Sequence, residues 1–387
     1  MSFDHAYWTG LRRELHQQPE LSGEEAATAQ RILALFRPWQ ADEVHTGLGK
    51  VDGQPGTGMA FVFNGTEPGP TTLIRGELDA LPIQEKGQCQ HQSCTPGVAH
   101  LCGHDGHMTM VASLGATLSR QRPRKGRVIL AFQPAEETGA GAVSMVQDPD
   151  FASLLPDYAF ALHNVPGLPL GKVVVKAGSF NCASRGMIIR LTGKTSHAAH
   201  PENGRSPALA LARLIQSLSA LPQQLQGFNR VTIIHALLGE VAFGTSPGDA
   251  VLMATLRTET NDAMNFLVEA ASRLAAEEAE RDGLEWALEW QDVFRASVNS
   301  EEGAAQVVAA CHRNGVEVEV ADKGYRWSED FGIFTEVAKN GAMFALGAGE
   351  RSPQLHNPDY DFPDELLPIG NALFLSLIRQ INGLQGE

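Results

Sequence analysis

Five side chains able to hold a metal ion fall within the eight residues HLCGHDGH (100–107): His100, Cys102, His104, Asp105 and His107. Imidazole, thiolate and carboxylate are the groups that proteins use for transition metals. The run lies just ahead of MTMVASLGATLSR (108–120), whose apolar periodicity predicts a helix. A thiol on a loop at the positive end of a helix has its thiolate favoured, which suits Cys102 as a ligand. The same spacing lets His100, His104 and His107 share one helix face. Alone, the run is equally compatible with a polar helix start holding a satisfied histidine.

Four further stretches could complete such a site. In QPAEETGAGA (133–142), Glu136 and Glu137 follow the apolar run RVILAFQ. Functional groups of α/β folds collect beyond the carboxyl ends of such strands. Of two adjacent glutamates on a loop, one can bind metal while the other moves a proton. The plainer alternative is a solvated acidic pair opening a helix. His163 ends another apolar run in ALHNVPG, and His356 stands in LHNPDYDFPDE near the end of the chain. Either alone reads as a structural histidine. Asp79, in LIRGELDALP, also ends a predicted strand and could orient a ligating histidine from outside the ligand set.

Other patterns carry less. Gly244-Thr245-Ser246-Pro247-Gly248 fits the G-x-S-x-G elbow. That elbow uses the backbone N–H after the serine, and Pro247 has none. Gly139-Ala140-Gly141 lacks the third glycine of a dinucleotide fingerprint. Cys89-x-His91-x-x-Cys94 fits a small metal knuckle or a polar loop with free thiols, and the loop is the simpler reading.

The elements that must position these residues follow from hydrophobic period. WTGLRRELHQQPE and AATAQRILALF predict helices, and MAFVF (59–63) and TTLIRGEL (71–78) predict strands. RVILAFQ (127–133), YAFALHN (158–164) and KVVVKAG (172–178) are continuous apolar runs of the kind buried on both faces of a sheet. Alternating strands and helices imply an α/β sandwich with a largely parallel sheet. The middle of the chain reads β-α-β-β-α-β, from MIIRLTG (187–193) to LEWALEW (284–290), the ferredoxin-like split unit. The expected architecture is therefore a catalytic α/β domain, residues 1–184 and 294–387, interrupted by an α+β domain over 185–293.

The 387 residues carry a formal charge of −15, which repels phosphate backbones and anionic membrane surfaces. Nucleic acid and membranes are thus not expected partners. No apolar run approaches the ~20 residues of a membrane span. MSFDHAYWTG has neither the basic nor the apolar region of a signal peptide, and five cysteines make an odd count for a disulfide framework. A cytoplasmic enzyme is expected.

GVAHLCGHDGH, FQPAEETGAGA, ALHNVPGLPLG, GKTSHAAHPENG, SEDFG and LHNPDYDFPDE, in this order, resemble the metal-dependent amidohydrolase branch of the aminoacylase/carboxypeptidase family. That branch contains hippurate hydrolases, auxin-conjugate hydrolases and N-acetyldiaminopimelate deacetylases. The resemblance runs through nearly the whole chain, from about residue 11 to residue 364. It implies an amidohydrolase acting on N-acyl amino acids or related small amides, with a metal-bound water as nucleophile. Cys102, His104, Glu137, His163 and His356 match the ligands of a two-metal site holding zinc or manganese, with cobalt possible. Glu136 matches the general acid/base, and Asp79 the acid that orients the centre. His197, in GKTSHAAHP, matches a histidine of the inserted domain that reaches the partner subunit's site in dimeric relatives. Arg257, in ATLRT, matches an arginine that helps to hold the substrate carboxylate.

The inserted domain is accordingly expected to act as a lid and to form a homodimer, with a tetramer as the alternative. Two positions depart from the branch. Glu77 stands where members carry Asp, and Gly244 where relatives begin an Asn-Val-Ile-Pro run. A di- or tripeptide metallopeptidase of the same family is the nearest rival. A non-catalytic metal-binding protein is the rival from another class, and the intact Glu136–Glu137 pair speaks against it.

Overall fold

The computed structural model describes residues 3–51 and 53–386. In chain order its main elements are α1 (His5–Gln17), α2 (Ala26–Phe36), β1 (Glu43–Leu48), β2 (Gly58–Asn64), β3 (Glu67–Glu77), α3 (His104–Leu118), β4 (Lys125–Gln133), α4 (Gly141–Gln147), β5 (Tyr158–Val165) and β6 (Val173–Val175). There follow β7 (Ala183–Thr192), α5 (Ala208–Ala220), β8 (Asn229–Leu238), β9 (Asp249–Thr258), α6 (Asn261–Asp282) and β10 (Glu285–Phe294). The chain closes with α7 (Glu301–Asn314), β11 (Val318–Val320), α8 (Gly332–Val337), β12 (Asn340–Gly347) and α9 (Leu366–Ile381). The chain divides into two compact units: residues 1–180, 297–324 and 329–387, and residues 181–296 with 325–328.

The larger unit is built on an eight-stranded sheet in the order β1-β2-β4-β3-β5-β12-β6-β11. Its centre is parallel: β4 with β3, β3 with β5, and β5 with β12. Pairing is antiparallel where β1 meets β2, β2 meets β4, and β12 meets β6, and parallel again between β6 and the edge strand β11. The sheet is parallel in four of its seven strand pairs, as the apolar runs lead one to expect, with antiparallel pairs added towards its edges. Connection direction sets strand direction, and composition does not record it. The run predicted over 172–178 narrows to three strand residues, 173–175.

Apolar packing explains why these runs become central strands. In β4 every residue from Val128 to Gln133 is buried. Phe36 of α2 stacks on Phe61 of β2 with ring centroids 3.8 Å apart, and Phe132 of β4 meets both edge-on. Fully burying such a side chain contributes about 1.5–3 kcal/mol. Helix α3 is buried almost all round, so it runs through the core.

The register then places the chemistry. Glu77 pairs with Gln133, so β3 and β4 end together. Asp79 and the Glu136–Glu137 pair leave the sheet from that same edge. His163 lies near the carboxyl end of β5, paired with Ala345 of β12.

The smaller unit has a four-stranded antiparallel sheet in the order β8-β9-β7-β10. With α5 and α6 this is the ferredoxin-like β-α-β-β-α-β unit. Alternation along β9 buries Ala250, Leu252, Ala254 and Leu256 in that unit's core and leaves the residues between them half-buried. Among the described residues, no helix is long and apolar enough to cross a membrane.

Candidate metal centre

Within the larger unit, loops leaving β3, β4 and β5 converge with the start of α3. Asp79, Cys102, His104, Glu136 and His163 are buried there, Glu137 is half-buried and His356 is exposed. His104 is the first residue of α3, capped by Gly103 with φ +92°. A Cβ on Gly103 would lie 2.5 Å from Asn164 Oδ1, so this turn admits only glycine, by conformation and by space.

Two histidines point their Nε2 atoms inward for one reason. His104 Nδ1 donates to the Asp79 carbonyl at 2.8 Å, and His163 Nδ1 donates to the Asn164 carbonyl at 2.8 Å. A carbonyl only accepts, so each Nδ1 carries a proton, and Nε2 is the atom each ring has left to offer a metal. His163 Nε2 lies 3.4 Å from Cys102 Sγ. His104 Nε2 lies 3.6 Å from Glu136 Oε2 and 3.7 Å from Glu137 Oε1. His356 Nε2 is 3.7 Å from Glu137 Oε2. The ligand atoms of Cys102, His104 and His163 lie within 4.8 Å of one another, and so do those of Cys102, Glu137 and His356.

The loops are held in costly conformations. Ala135, just before the glutamates, has φ +47°, and His356 has φ +65°. Non-glycine residues in this region cost of order 1–3 kcal/mol each and collect at functional sites. Ala135 is pinned by its N–H donating to Glu25 Oε1 at 2.9 Å. His356 is pinned by its N–H donating to the Leu101 carbonyl at 2.9 Å. Asp79 Oδ2 accepts from Ser22 Oγ at 2.7 Å and from the Glu137 N–H at 3.0 Å, which ties the ends of β3 and β4 together.

The residues present fit a cation. His104 Nε2 and Glu137 Oε1 are buried and have no hydrogen-bond partner. Such atoms are expensive unless something occupies the space between them. Burial, with the Glu329, Glu137 and Asp330 charges, raises the Glu136 carboxyl well above its ordinary range. Burial pushes Glu137 up to about 7 against the pull of His104. Burial would neutralise His104, yet the Asp79 and Glu77 carboxylates hold its proton up to about 10. Protons thus offset an excess of negative charge that divalent metal would offset better.

The thiol is a correction to the sequence expectation. Burial, then Glu137 and Glu136, raise Cys102 well above its ordinary value, so proximity to the start of α3 does not by itself favour the thiolate. A metal would be what deprotonates it. Nor do the three histidines of HLCGHDGH share a helix face. His100 precedes α3 and is buried with neither ring nitrogen hydrogen-bonded. His107 turns away to Glu77 Oε2 at 3.0 Å and Asn164 Oδ1 at 2.6 Å.

Behind the cluster lies a fully buried network that motif reading missed. Arg75 donates to Glu329 at 2.7 and 3.0 Å, to Asp330 at 3.0 Å, to Gln133 at 2.7 Å, and to Glu77. Glu77 therefore anchors Arg75 and His107, which answers what a glutamate does at that position. The available signal was a charged residue inside the apolar strand TTLIRGEL, matched by the acid pair of SEDFG.

Residues 73–380 match the sequence model of peptidase family M20/M25/M40. The chain belongs to this family. It is 29% identical over 378 residues to the N-acetylcysteine deacetylase of Bacillus subtilis (strain 168), covering 96% of each chain. It is 29% identical over 375 residues to the hippurate hydrolase of Campylobacter jejuni, covering 95% of this chain and 94% of that one. A solved Bacillus subtilis structure, a dinuclear metal-binding peptidase of the M20 family, superposes with a TM-score of 0.79 at 26% identity over 97% of each chain.

In this M20 chain, His197 and Arg257 belong to the smaller unit. His197 sits in a two-residue strand paired with Thr245 and Ser246, and the Ala198 N–H donates to the Gly244 carbonyl at 2.9 Å. The Gly244 departure therefore adjoins His197. His197 Nδ1 accepts from the Ala199 N–H at 3.0 Å, so the neutral ring carries its proton on Nε2. Arg257 donates to Ser328 Oγ at 2.7 Å and to the Arg326 carbonyl at 2.8 Å. No carboxylate pairs with it among the described residues.

Proposed function

We propose that this enzyme hydrolyses the amide bond of N-acyl amino acids or related small amides, using two divalent metal ions held by Cys102, His104, Glu137, His163 and His356. The observation that carries the reading is the buried convergence of His104 Nε2 and Glu137 Oε1, neither of them hydrogen-bonded, with Glu136 beside them. The deacetylase and hydrolase named among its relatives act on substrates of this class, and a dinuclear relative supports the metal count.

When bound, zinc, manganese or cobalt supplies Lewis acidity that polarises the scissile carbonyl and makes water acidic. The chain's own residues do the rest. Glu136 takes a proton from the attacking water and delivers it to the leaving nitrogen; its buried carboxyl, raised above its ordinary range beside Glu329 and Glu137, holds that proton between the two transfers. Asp79 holds the Glu137 backbone and lies 3.5 Å from His104 Nδ1, so it orients the cluster. His197 offers an Nε2–H donor suited to a developing oxyanion. Arg257 takes the substrate carboxylate.

We assign residues 1–184 and 294–387 to catalysis and 185–293 to a lid that forms a homodimer. The edge strand β8 exposes Ile234, Leu237 and Leu238, and the loop after it exposes Val241 and Phe243 completely. An apolar edge of this kind is a natural template for a second copy. Five free thiols suit a reducing compartment, and we place the enzyme in the cytoplasm. A panel of N-acyl amino acids and free dipeptides, assayed for amino-acid release, tests the reading. Preference for acylated substrates is expected, and preference for a free amino terminus would make the enzyme a di- or tripeptidase.

A further inference from the structure

The segment Cys89-x-His91-x-x-Cys94 takes no part in the cluster above, and the fold gives it partners that its sequence does not reveal. The half-buried Cys89 Sγ donates to Glu85 Oε1 at 3.4 Å, and His16 Nε2 of α1 lies 3.4 Å from that same oxygen. The ligand atoms of His16, Glu85 and Cys89 all fall within 4.8 Å of one another. Cys89 also belongs to a second such group, with His91 and Asp361. His16, Glu85 and His91 are buried, while Cys89 is half-buried.

Each of these groups is already oriented by an outer partner. His16 Nδ1 lies 2.9 Å from Asp105 Oδ2, which fixes its ring and aims Nε2 at Glu85 and Cys89. Glu85 Oε2 accepts the Ser93 N–H at 2.7 Å. His91 Nε2 lies 3.0 Å from Asp361 Oδ2 and 3.0 Å from Arg12 Nη2, and Asp361 Oδ1 accepts from Arg12 at 2.7 Å, which leaves Nδ1 as the ring's ligand atom. A histidine backed by a carboxylate is the usual support of a metal ligand.

The charge balance points the same way. Arg12 is paired with Asp105, Asp361 and Asp364, and Arg13 shares Asp364, so Arg12, Arg13 and His16 together face those three carboxylates and Glu85, one negative charge in excess. Burial opposes the His16 charge, but Asp105 and Glu85 hold its proton up to about 9. Burial, with Asp361 and Glu85, pushes the Cys89 thiol up to about 12. Two protons thus sit where one soft divalent cation would release both.

We propose that the larger unit carries a second, separate zinc site, in which Cys89, His16, Glu85 and His91 hold one zinc ion. One thiolate, two imidazoles and one carboxylate form a ligand set that zinc accepts. Asp105 and Asp361 act as the outer partners. The ion ties α1 to the 85–94 loop and serves the fold rather than the reaction.

The test uses the full chain loaded with zinc. Zinc per chain is measured for the wild type and for Cys89→Ser. Iodoacetamide labelling of Cys89 is followed by peptide mass mapping with and without zinc, with the exposed Cys94 as internal control. The expected results are one zinc equivalent fewer in Cys89→Ser with hydrolysis retained, zinc protection of Cys89 but not Cys94, and loss of that protection in His91→Ala. Equal zinc content in wild type and Cys89→Ser, or a Cys89 labelling rate indifferent to zinc, overturns the proposal. Both readouts are independent of the assignment at Cys102 and His104, because neither requires turnover.

Discussion

At the scale of single residues the account rests on which groups lack partners. Glu136 is buried beside Glu137, Glu329 and Asp330 and lies 3.6 Å from His104 Nε2. Glu136→Gln should keep its metal and lose roughly 10²–10⁴-fold in turnover, the range of a general acid/base. Metal analysis beside an initial-rate assay checks this, and full activity in the variant removes Glu136 from the mechanism. What the sequence marks at this scale is position: Glu136 and His163 stand out because each closes an unbroken apolar run. The Arg75–Glu329–Asp330 network stays hidden because its partners are more than 250 residues apart, as in Arg75 with Glu329. The state of the Cys102 thiol is hidden as well, because it depends on burial and on Glu137 rather than on the helix that follows.

Among elements, the decisive joint is the turn into α3. Gly103→Ala forces a Cβ to within 2.5 Å of Asn164 Oδ1 at a φ of +92°. Strain of this kind costs of order 1–3 kcal/mol. A lowered melting temperature and weakened metal binding are expected, and a variant that melts like the wild type would contradict the geometry. A second joint links β3 to the start of β12. Asp157 Oδ2 accepts the Thr71 N–H at 2.8 Å, and Asp157 Oδ1 meets Lys339 Nζ at 2.5 Å. Lys339 first, then the Thr71 N–H, hold the Asp157 carboxyl below its ordinary range. A depressed folded-state pKa means the stability is fully present above the unfolded value of about 4 and lost as pH falls through the folded one. Asp157→Asn should therefore flatten the acid limb of a denaturation-versus-pH curve, and an unchanged limb would remove Asp157 from it. Central strands such as β4 were legible because burial on both faces leaves a continuous apolar run. Strand β1, EVHTGL, was not, because only its Leu48 is buried and an exposed strand has no apolar pattern to read.

For the whole molecule, the β-α-β-β-α-β order made the smaller unit visible in sequence, since hydrophobic period changes there from strand to helix and back. Its exposed apolar residues on β8 and in the loop to Phe243 are the surface we propose a second copy covers, which no single-chain pattern records. His197→Ala should cut turnover. If His197 acts across a dimer, mixing it with Glu136→Gln under conditions where subunits exchange should restore part of the activity, because one composite site regains both groups. No restoration despite proven exchange would confine His197 to its own subunit or remove it from catalysis. The central claim, however, is that the cluster around His104 and Glu137 is a metal centre that performs amide hydrolysis. The most direct measurement is amino-acid release from N-acyl amino acids by metal-stripped enzyme before and after zinc, manganese or cobalt is added back. Activity abolished by stripping and restored by metal is the predicted result. Undiminished release from fully stripped protein, or no release from protein shown to hold its metal, would contradict it.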